Sequence, residues 1–288
     1  MPEPIRYQSF GPLWPDNPLY VKRAADEQLL SALLEGEFCY VLAARQMGKS
    51  SLLAQTVTTL RAEGVLVATA NLQASGDVVS ESEWYEGLID QLVESAKLNP
   101  GWELPFDWGK WWDSQRGPFA QRFLNFLREA FLAPTDRQWV IAVDEIDATI
   151  SLPFTDSFFA AIRLGYDSRP GNPPFRRLAV VLLGAATPAE LMKDRSRTPF
   201  NIGRPVELTM FTVAEARPLC MGLPVPEDVR LATMKRVLYW TGGQPHLTQK
   251  TFEALAKAWS ETLAPASAED AINSVDQLVN SLFFGADV

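Results

Sequence analysis

The stretch from Phe38 to Leu53, F-C-Y-V-L-A-A-R-Q-M-G-K-S-S-L-L, constrains the fold more than any other part of the chain. It opens on a short apolar run, Phe38 to Ala43, with the length and β-rich composition of a buried strand. A loop containing Gly48 follows, and from Lys49 onward Leu52, Leu53, Val57 and Leu60 recur at helical spacing. Strand, loop and helix match the phosphate-binding signature G-x-x-x-x-G-K-[ST] at Gly48, Lys49 and Ser50, with Ala43 in place of its first glycine. The chemistry explains which positions vary. Backbone N–H groups from Arg45 through Gln46, Met47, Gly48, Lys49 and Ser50 to Ser51 must turn inward to cradle the β- and γ-phosphates at the positive end of a helix. Gly48 lets the backbone approach, Lys49 would reach the β/γ oxygens, and the Ser50 hydroxyl would ligate Mg²⁺. Ala43 lies at the strand end, where a methyl group is accommodated.

Around this centre, strands and helices alternate. Six prolines or glycines within the first nineteen residues mark an extended lead-in, followed by an amphipathic helix over about Ala24 to Glu35. Further strands are predicted at Val65–Ala70, Trp139–Val143, Leu178–Leu183 and Val206–Leu208. Helices are predicted at Trp84–Leu92, Phe119–Phe131 and Thr155–Leu164. Asn99 to Asp113, with Trp102, Trp108, Trp111 and Trp112, reads as a tucked loop rather than a binding surface. Beyond Thr212 the pattern is helical only, at Val213–Met221, Pro226–Trp240, Pro245–Trp259 and Ala268–Leu282. The expected fold is therefore α/β, a three-layer phosphate-loop core with a mainly parallel sheet, followed by an all-helical lid. Its expected parts are a lead-in over 1–19, the α/β domain over 20–212 and the lid over 213–288.

The second half of a nucleotide site is expected at Asp144 and Glu145, which end the apolar strand W-V-I-A-V. Ligands of a parallel sheet sit at the carboxyl ends of its strands. Asp144 would hold Mg²⁺ through its waters, and Glu145 would position or deprotonate the attacking water. Asp147 reads only as a helix-leading acid. Thr187, after the next strand, either places a hydroxyl near the γ-phosphate or caps the helix that starts at Pro188. Arg197 or Arg204 would meet transition-state charge, in cis or from a neighbour, unless both are surface arginines.

Adenine is favoured over guanine because the sequence contains no N-K-x-D guanine reader. The turn T-G-G-Q-P-H-L, Thr241 to Leu247, could press Pro245 on the base and bring His246 near the phosphates or ribose; as a plain structure it is a sharp helix–helix turn. With a formal charge of −9, phosphate-tracking nucleic-acid binding is not expected. No apolar run reaches transmembrane length, and Cys39 and Cys220 lack metal-ligand spacing, so a reduced, cytoplasmic setting is expected. With His246 as the sole histidine, a histidine-based metal site or Ser-His-Asp triad is nearly excluded.

Taken together, Y-V-K-R-A-A-D-E-Q-L-L, A-A-R-Q-M-G-K-S-S-L, the strand with D-E, L-L-G-A-A-T-P, R-T-P-F-N-I-G-R and T-G-G-Q-P-H-L-T-Q resemble the AAA-like domains of the STAND branch of P-loop ATPases, over nearly the whole chain. The resemblance implies that Tyr20, Val21 and Arg23 contact the adenosine. It also implies ADP held at rest, ATP-driven opening, slow Mg²⁺-dependent hydrolysis and self-association, with an effector or sensor module in the same chain or in trans. The chain ends at Val288 without such a module, so either it is a fragment or its partner acts in trans. The rival expectations are a nucleotide-gated scaffold without useful turnover and a DNA-associated ATPase.

Overall fold

The structure is a computed structural model, and it describes residues 7–8, 10–75, 80–192, 194, 198–261 and 263–285. In chain order the elements are α1 (Ala24–Leu34), β1 (Phe38–Leu42), α2 (Lys49–Ala62), β2 (Leu66–Asn71), α3 (Glu81–Ala96), α4 (Trp108–Ser114) and α5 (Phe119–Phe126). A π-helical turn (Leu127–Leu132) extends α5. Then come β3 (Trp139–Asp144), α6 (Thr155–Asp167), β4 (Leu178–Gly184), α7 (Pro188–Leu191), β5 (Arg204–Pro205), α8 (Arg217–Cys220), α9 (Glu227–Thr241), α10 (Pro245–Glu261) and α11 (Ala268–Phe283). Packing separates two compact units among the described residues. One is drawn from Met1–Asp26, Arg45–Gln55 and Leu208–Val288, the other from Glu27–Ala44 and Thr56–Glu207.

In the second unit, five parallel strands form one sheet in the order β2-β3-β4-β1-β5. The continuous apolar runs are explained by burial on both faces. Phe38, Leu66, Ile141, Val143 and Leu182 share a core with Trp84, Tyr85, Phe126 and Phe158, while Cys39, Val41, Val67, Ala142 and Val181 are buried at the alternate positions. Strand β2 closes the edge of the sheet without another strand. Its Val67, Thr69 and Asn71 N–H groups donate to Asn99 Oδ1, Ser95 Oγ and Gln91 Oε1 at 2.8–2.9 Å. Helical i,i+4 spacing (about 6 Å) matches strand i,i+2 spacing (about 6.6 Å), so one polar stripe on and just beyond α3 satisfies the exposed rungs. A capping box sets the start of α3: Ser80 Oγ accepts Glu83 N–H, and Ser80 N–H donates to the Glu83 carboxylate.

Two local expectations are revised. The tryptophan-rich segment contains a helix, α4, because Asp107 caps it by accepting Lys110 N–H at 3.2 Å; Trp102 and Trp112 are buried against Phe131, Trp139 and Tyr85. The last strand pairs earlier than expected, with Cys39 opposite Arg204, Tyr40 opposite Pro205 and Val206 N–H donating to Tyr40 O at 2.9 Å.

The other unit has its own core, in which Val229, Val237, Phe252, Leu255, Val275 and Val279 from α9, α10 and α11 pack together. The lead-in belongs to it: Leu19 and Val21 lie in that core, and Tyr7 stacks on Phe252 while its phenol donates to Leu219 O.

Candidate nucleotide site

The phosphate loop bends as its proposed work requires. Gln46 and Gly48 both take left-handed backbone conformations, φ +65° and +85°, and such alternation turns successive N–H groups to one side. The first helical bond of α2 runs from Leu52 N–H to Gly48 O, so Lys49, Ser50 and Ser51 form its first turn, and Lys49 is buried. Ala43 N–H donates to Gly184 O at 3.1 Å. The position of the missing glycine thus continues the β1–β4 pairing, an ordinary strand position where a methyl group fits.

The loop is gripped from behind by residues of its own unit. Arg23, 4% exposed, donates through Nη1 to Met47 O at 2.9 Å and to Thr209 O at 3.3 Å, and its guanidinium lies over the Phe211 ring, 5.3 Å from the centroid. Burial lowers the Arg23 pKa, but an arginine so placed stays charged. Asp26 holds its backbone, accepting Arg23 N–H at 2.9 Å and the Tyr20 phenol at 2.5 Å. Burial and the Asp26 carboxylate push the Tyr20 pKa up. Of the three residues that the resemblance assigns to adenosine, Val21 thus lies in the helical core, Tyr20 is tied to Asp26, and Arg23 serves two backbone carbonyls. Ser51 Oγ accepts Leu13 N–H at 3.1 Å.

The Thr241–Leu247 turn reaches the same loop through a residue that sequence reasoning missed. Gln244 Nε2 donates to Gln46 O at 3.2 Å, while its Oε1 accepts Leu247 N–H at the start of α10. Pro245 is buried at the first position of α10, and His246 is edge-on to Phe10 at 6.2 Å. Phe211 N–H donates to Gly243 O at 2.8 Å. A Cβ on Gly243 would lie 2.3 Å from Phe211 O, and φ there is +76°. The expected outcome for Gly243→Ala is a loss of about 2 kcal/mol or more, from left-handed strain and overpacking together. Gly242→Ala, with φ +60° and open space around the added methyl, should cost about 1 kcal/mol. Urea unfolding of both variants checks the contact, and equal losses would show that Phe211 does not constrain the turn.

In the sheet unit, the carboxyl ends of β1, β3 and β4 carry Ala43, Asp144 and Gly184. A cleft of about 400 Å³ at this edge is lined by Leu42, Ala43, Ala185, Thr187, Val206 and Glu207, among others. Asp144 is buried, and its Oδ1 accepts Glu145 N–H at 2.9 Å. Glu145 itself adopts φ +57°, which turns the chain sharply at the strand end. The Thr187 hydroxyl and N–H both donate to Glu190, at 2.8 and 2.7 Å, and hold that carboxyl below its usual pKa. This is the arrangement of a helix cap. Arg204 lies opposite Cys39, at the amino end of β1, and pairs with Glu37 at 3.2 Å. That is the opposite end of the strand from Leu42 and Ala43. Arg197 falls outside the described residues.

Among the described residues no group of three or more His, Cys, Asp or Glu could hold a metal by itself. Each unit has a hard oxygen donor of the kind Mg²⁺ takes, the Ser50 hydroxyl at the start of α2 in one and the Asp144 carboxylate at the end of β3 in the other.

Residues 9–277 match the AAA-like domain family. The chain belongs to that family. The AAA-like domain is 38% identical over 277 residues to an uncharacterized WD repeat-containing protein of Synechocystis sp., covering 95% of this chain and 23% of the relative's length. Its fold is similar to that of the Walker-type ATPase of Pyrococcus abyssi (TM-score 0.58, 17% identity, 92% of this chain and 74% of that one). It is similar also to the Aeropyrum pernix ORC2 protein, solved as ADPNP-ADP complexes (0.57, 14%, 88% and 66%). A third similar structure is the Aeropyrum pernix ORC1 protein in complex with DNA (0.53, 14%, 89% and 65%). The domain thus spans about a quarter of the curated relative and about two thirds of the ORC chains. No helix among the described residues is long and apolar enough to cross a membrane.

Proposed function

We propose that this AAA-like domain binds ADP and ATP with Mg²⁺, hydrolyses ATP slowly, and acts as the STAND-type nucleotide switch of a larger signalling or defence protein. One observation carries the reading: Arg23 and Gln244 hold the carbonyls of Met47 and Gln46, inside the phosphate loop. A ligand shifts a conformation only through different contacts in the two states. ADP and ATP differ at the γ-phosphate, so a loop adjusting to it would pull on Arg23, Thr209 and the Phe211–Gly243 bond. In this reading residues 20–212 form the ATPase domain and 213–288 the lid, hinged at Phe211–Thr212. Lys49 binds the β/γ oxygens and Glu145 takes the proton of the attacking water. Ser50 and Asp144 are the residues that would hold Mg²⁺, which when bound would neutralise phosphate charge. Tyr20, Val21 and Pro245 would border the base, and His246 the ribose or phosphates. Thr187 and Arg204 remain candidates for the γ-phosphate, Arg204 from a neighbouring copy. The Synechocystis relative is named for WD repeats, and a repeat module of that kind, in the same chain or in trans, is the partner we propose.

Calorimetry with ATP, ADP and GTP, with and without Mg²⁺, should show at least tenfold preference for adenine. Spectroscopic labels near Ala54 and Lys257 should report different distances with ADP and an ATP analogue. Identical distances in apo, ADP and analogue samples would overturn the switch. Equal binding of GTP would remove the adenine assignment. The Aeropyrum ORC1 protein was solved with DNA, and hydrolysis stimulated by duplex DNA would favour a DNA-associated role despite a charge of −9.

A further inference from the structure

The stretch D-E-I-D does more than end a strand. After Glu145 the chain makes a tight turn over Ile146–Thr149, closed by Ala148 N–H to Glu145 O at 3.0 Å and by the Thr149 hydroxyl to Ile146 O at 2.8 Å. Strands β3 and β4 pair from Trp139 opposite Leu178 to Val143 opposite Leu182. Beyond that last pair a side chain takes over: Asp147 Oδ1 accepts the Ala185 N–H at 2.9 Å. The approach is close. A Cβ on Gly184 would lie 2.7 Å from Ile146 Cγ1 and 3.1 Å from Asp147 Oδ1, so the position is open only to glycine without a shift of the turn. On its other side Gly184 O accepts Ala43 N–H. One carboxylate therefore ties the turn that carries Glu145 to the end of β4, which is itself joined to the end of β1.

We propose that Asp147 is a positioning residue for ATP hydrolysis: through Ala185 it holds the Glu145 turn in register with the ends of β4 and β1. This role rests on the ATPase reading above. Glu145 sits in a left-handed conformation that a side chain adopts only when its surroundings hold it. The Asp147–Ala185 bond is such a restraint on the residue's C-terminal side, as the Asp144 carboxylate is on its own N–H.

The experiment compares Asp147→Ala, Asp147→Asn and Glu145→Gln with wild type in ATP affinity, single-turnover rate and amide exchange at Ala185. Asp147→Ala should lower the rate roughly tenfold, the scale of a modest misplacement, with the ATP Kd unchanged within about twofold because the phosphate-binding residues proposed above, Lys49 and its loop, keep their sequence. It should also speed Ala185 exchange. Asp147→Asn keeps an oxygen for the same N–H and should restore both the rate and the protection. An unchanged rate in Asp147→Ala would overturn the role. So would loss of affinity in step with rate, or Asp147→Asn as slow as Asp147→Ala. If wild type binds ATP but neither it nor Glu145→Gln turns it over, the ATPase reading fails and the positioning role with it. In that case faster Ala185 exchange in Asp147→Ala would still mark the bond as a purely architectural tie.

Discussion

The Lys49→Ala protein is expected to fold and to lose nucleotide binding. A triphosphate brings several negative charges to a loop that otherwise answers with backbone N–H groups and the partial positive charge of a helix start, about half an elementary charge. Lys49 is the first residue of α2 and is buried, whereas the Arg23 guanidinium is engaged by the carbonyls of Met47 and Thr209, so the Lys49 ammonium is the full charge we assign to the phosphates. A hydrogen bond between charged partners contributes about 1.5–3 kcal/mol. Two such bonds to β and γ oxygens correspond to a weakening on the order of 10²-fold or more. Calorimetry with ATP and Mg²⁺ measures it, and the apo melting temperature shows that the fold is retained. Unchanged affinity would mean that phosphate binds elsewhere, and the assignment of the Phe38–Leu53 stretch would go with it.

For Glu145→Gln we expect the opposite separation: binding retained and turnover lost. The amide keeps the shape of the side chain at the left-handed position, so the turn and the Asp144–Glu145 N–H bond should survive. What it cannot do is accept a proton from water or supply the negative charge that orients it. A positioned general base contributes about 10²–10⁴-fold, and a fall of at least 10²-fold in single-turnover rate is the expected result, with ATP affinity equal to or tighter than wild type. Equal rates in the two proteins would assign the water to another group. The nucleotide-gated scaffold would then become the better reading.

Much of the fold was legible in the chain because its signals are local. A buried parallel strand is a short apolar run, and a phosphate loop is a glycine and a lysine between such a run and a helix. The strands at Phe38–Leu42, Trp139–Asp144 and Leu178–Gly184 lie within a residue of their expected ends for that reason. The departure at Ala43 also explains itself once Gly184 O is seen to receive its N–H. Where a cue was present but overlooked, as with Asp107 before α4, the element was missed although the sequence contained it.

Other features depend on residues that meet only when the chain has packed. Arg23 reaches Met47 and Thr209, Gln244 reaches Gln46, and Asp147 reaches Ala185, across separations of 24, 186, 198 and 38 residues. None of these pairs has a period or a motif, because a side chain's hydrogen-bond partner is chosen by the surface that folds against it. Arg204 shows the same limit from the other side. Its sequence position invites a role at the γ-phosphate, but the register of a two-residue strand places it at the amino end of β1, against Glu37. Local sequence determined that a phosphate loop and a strand-end acidic pair exist. Tertiary packing alone decided which buried polar groups hold them, since a buried donor or acceptor must find a partner wherever the fold provides one.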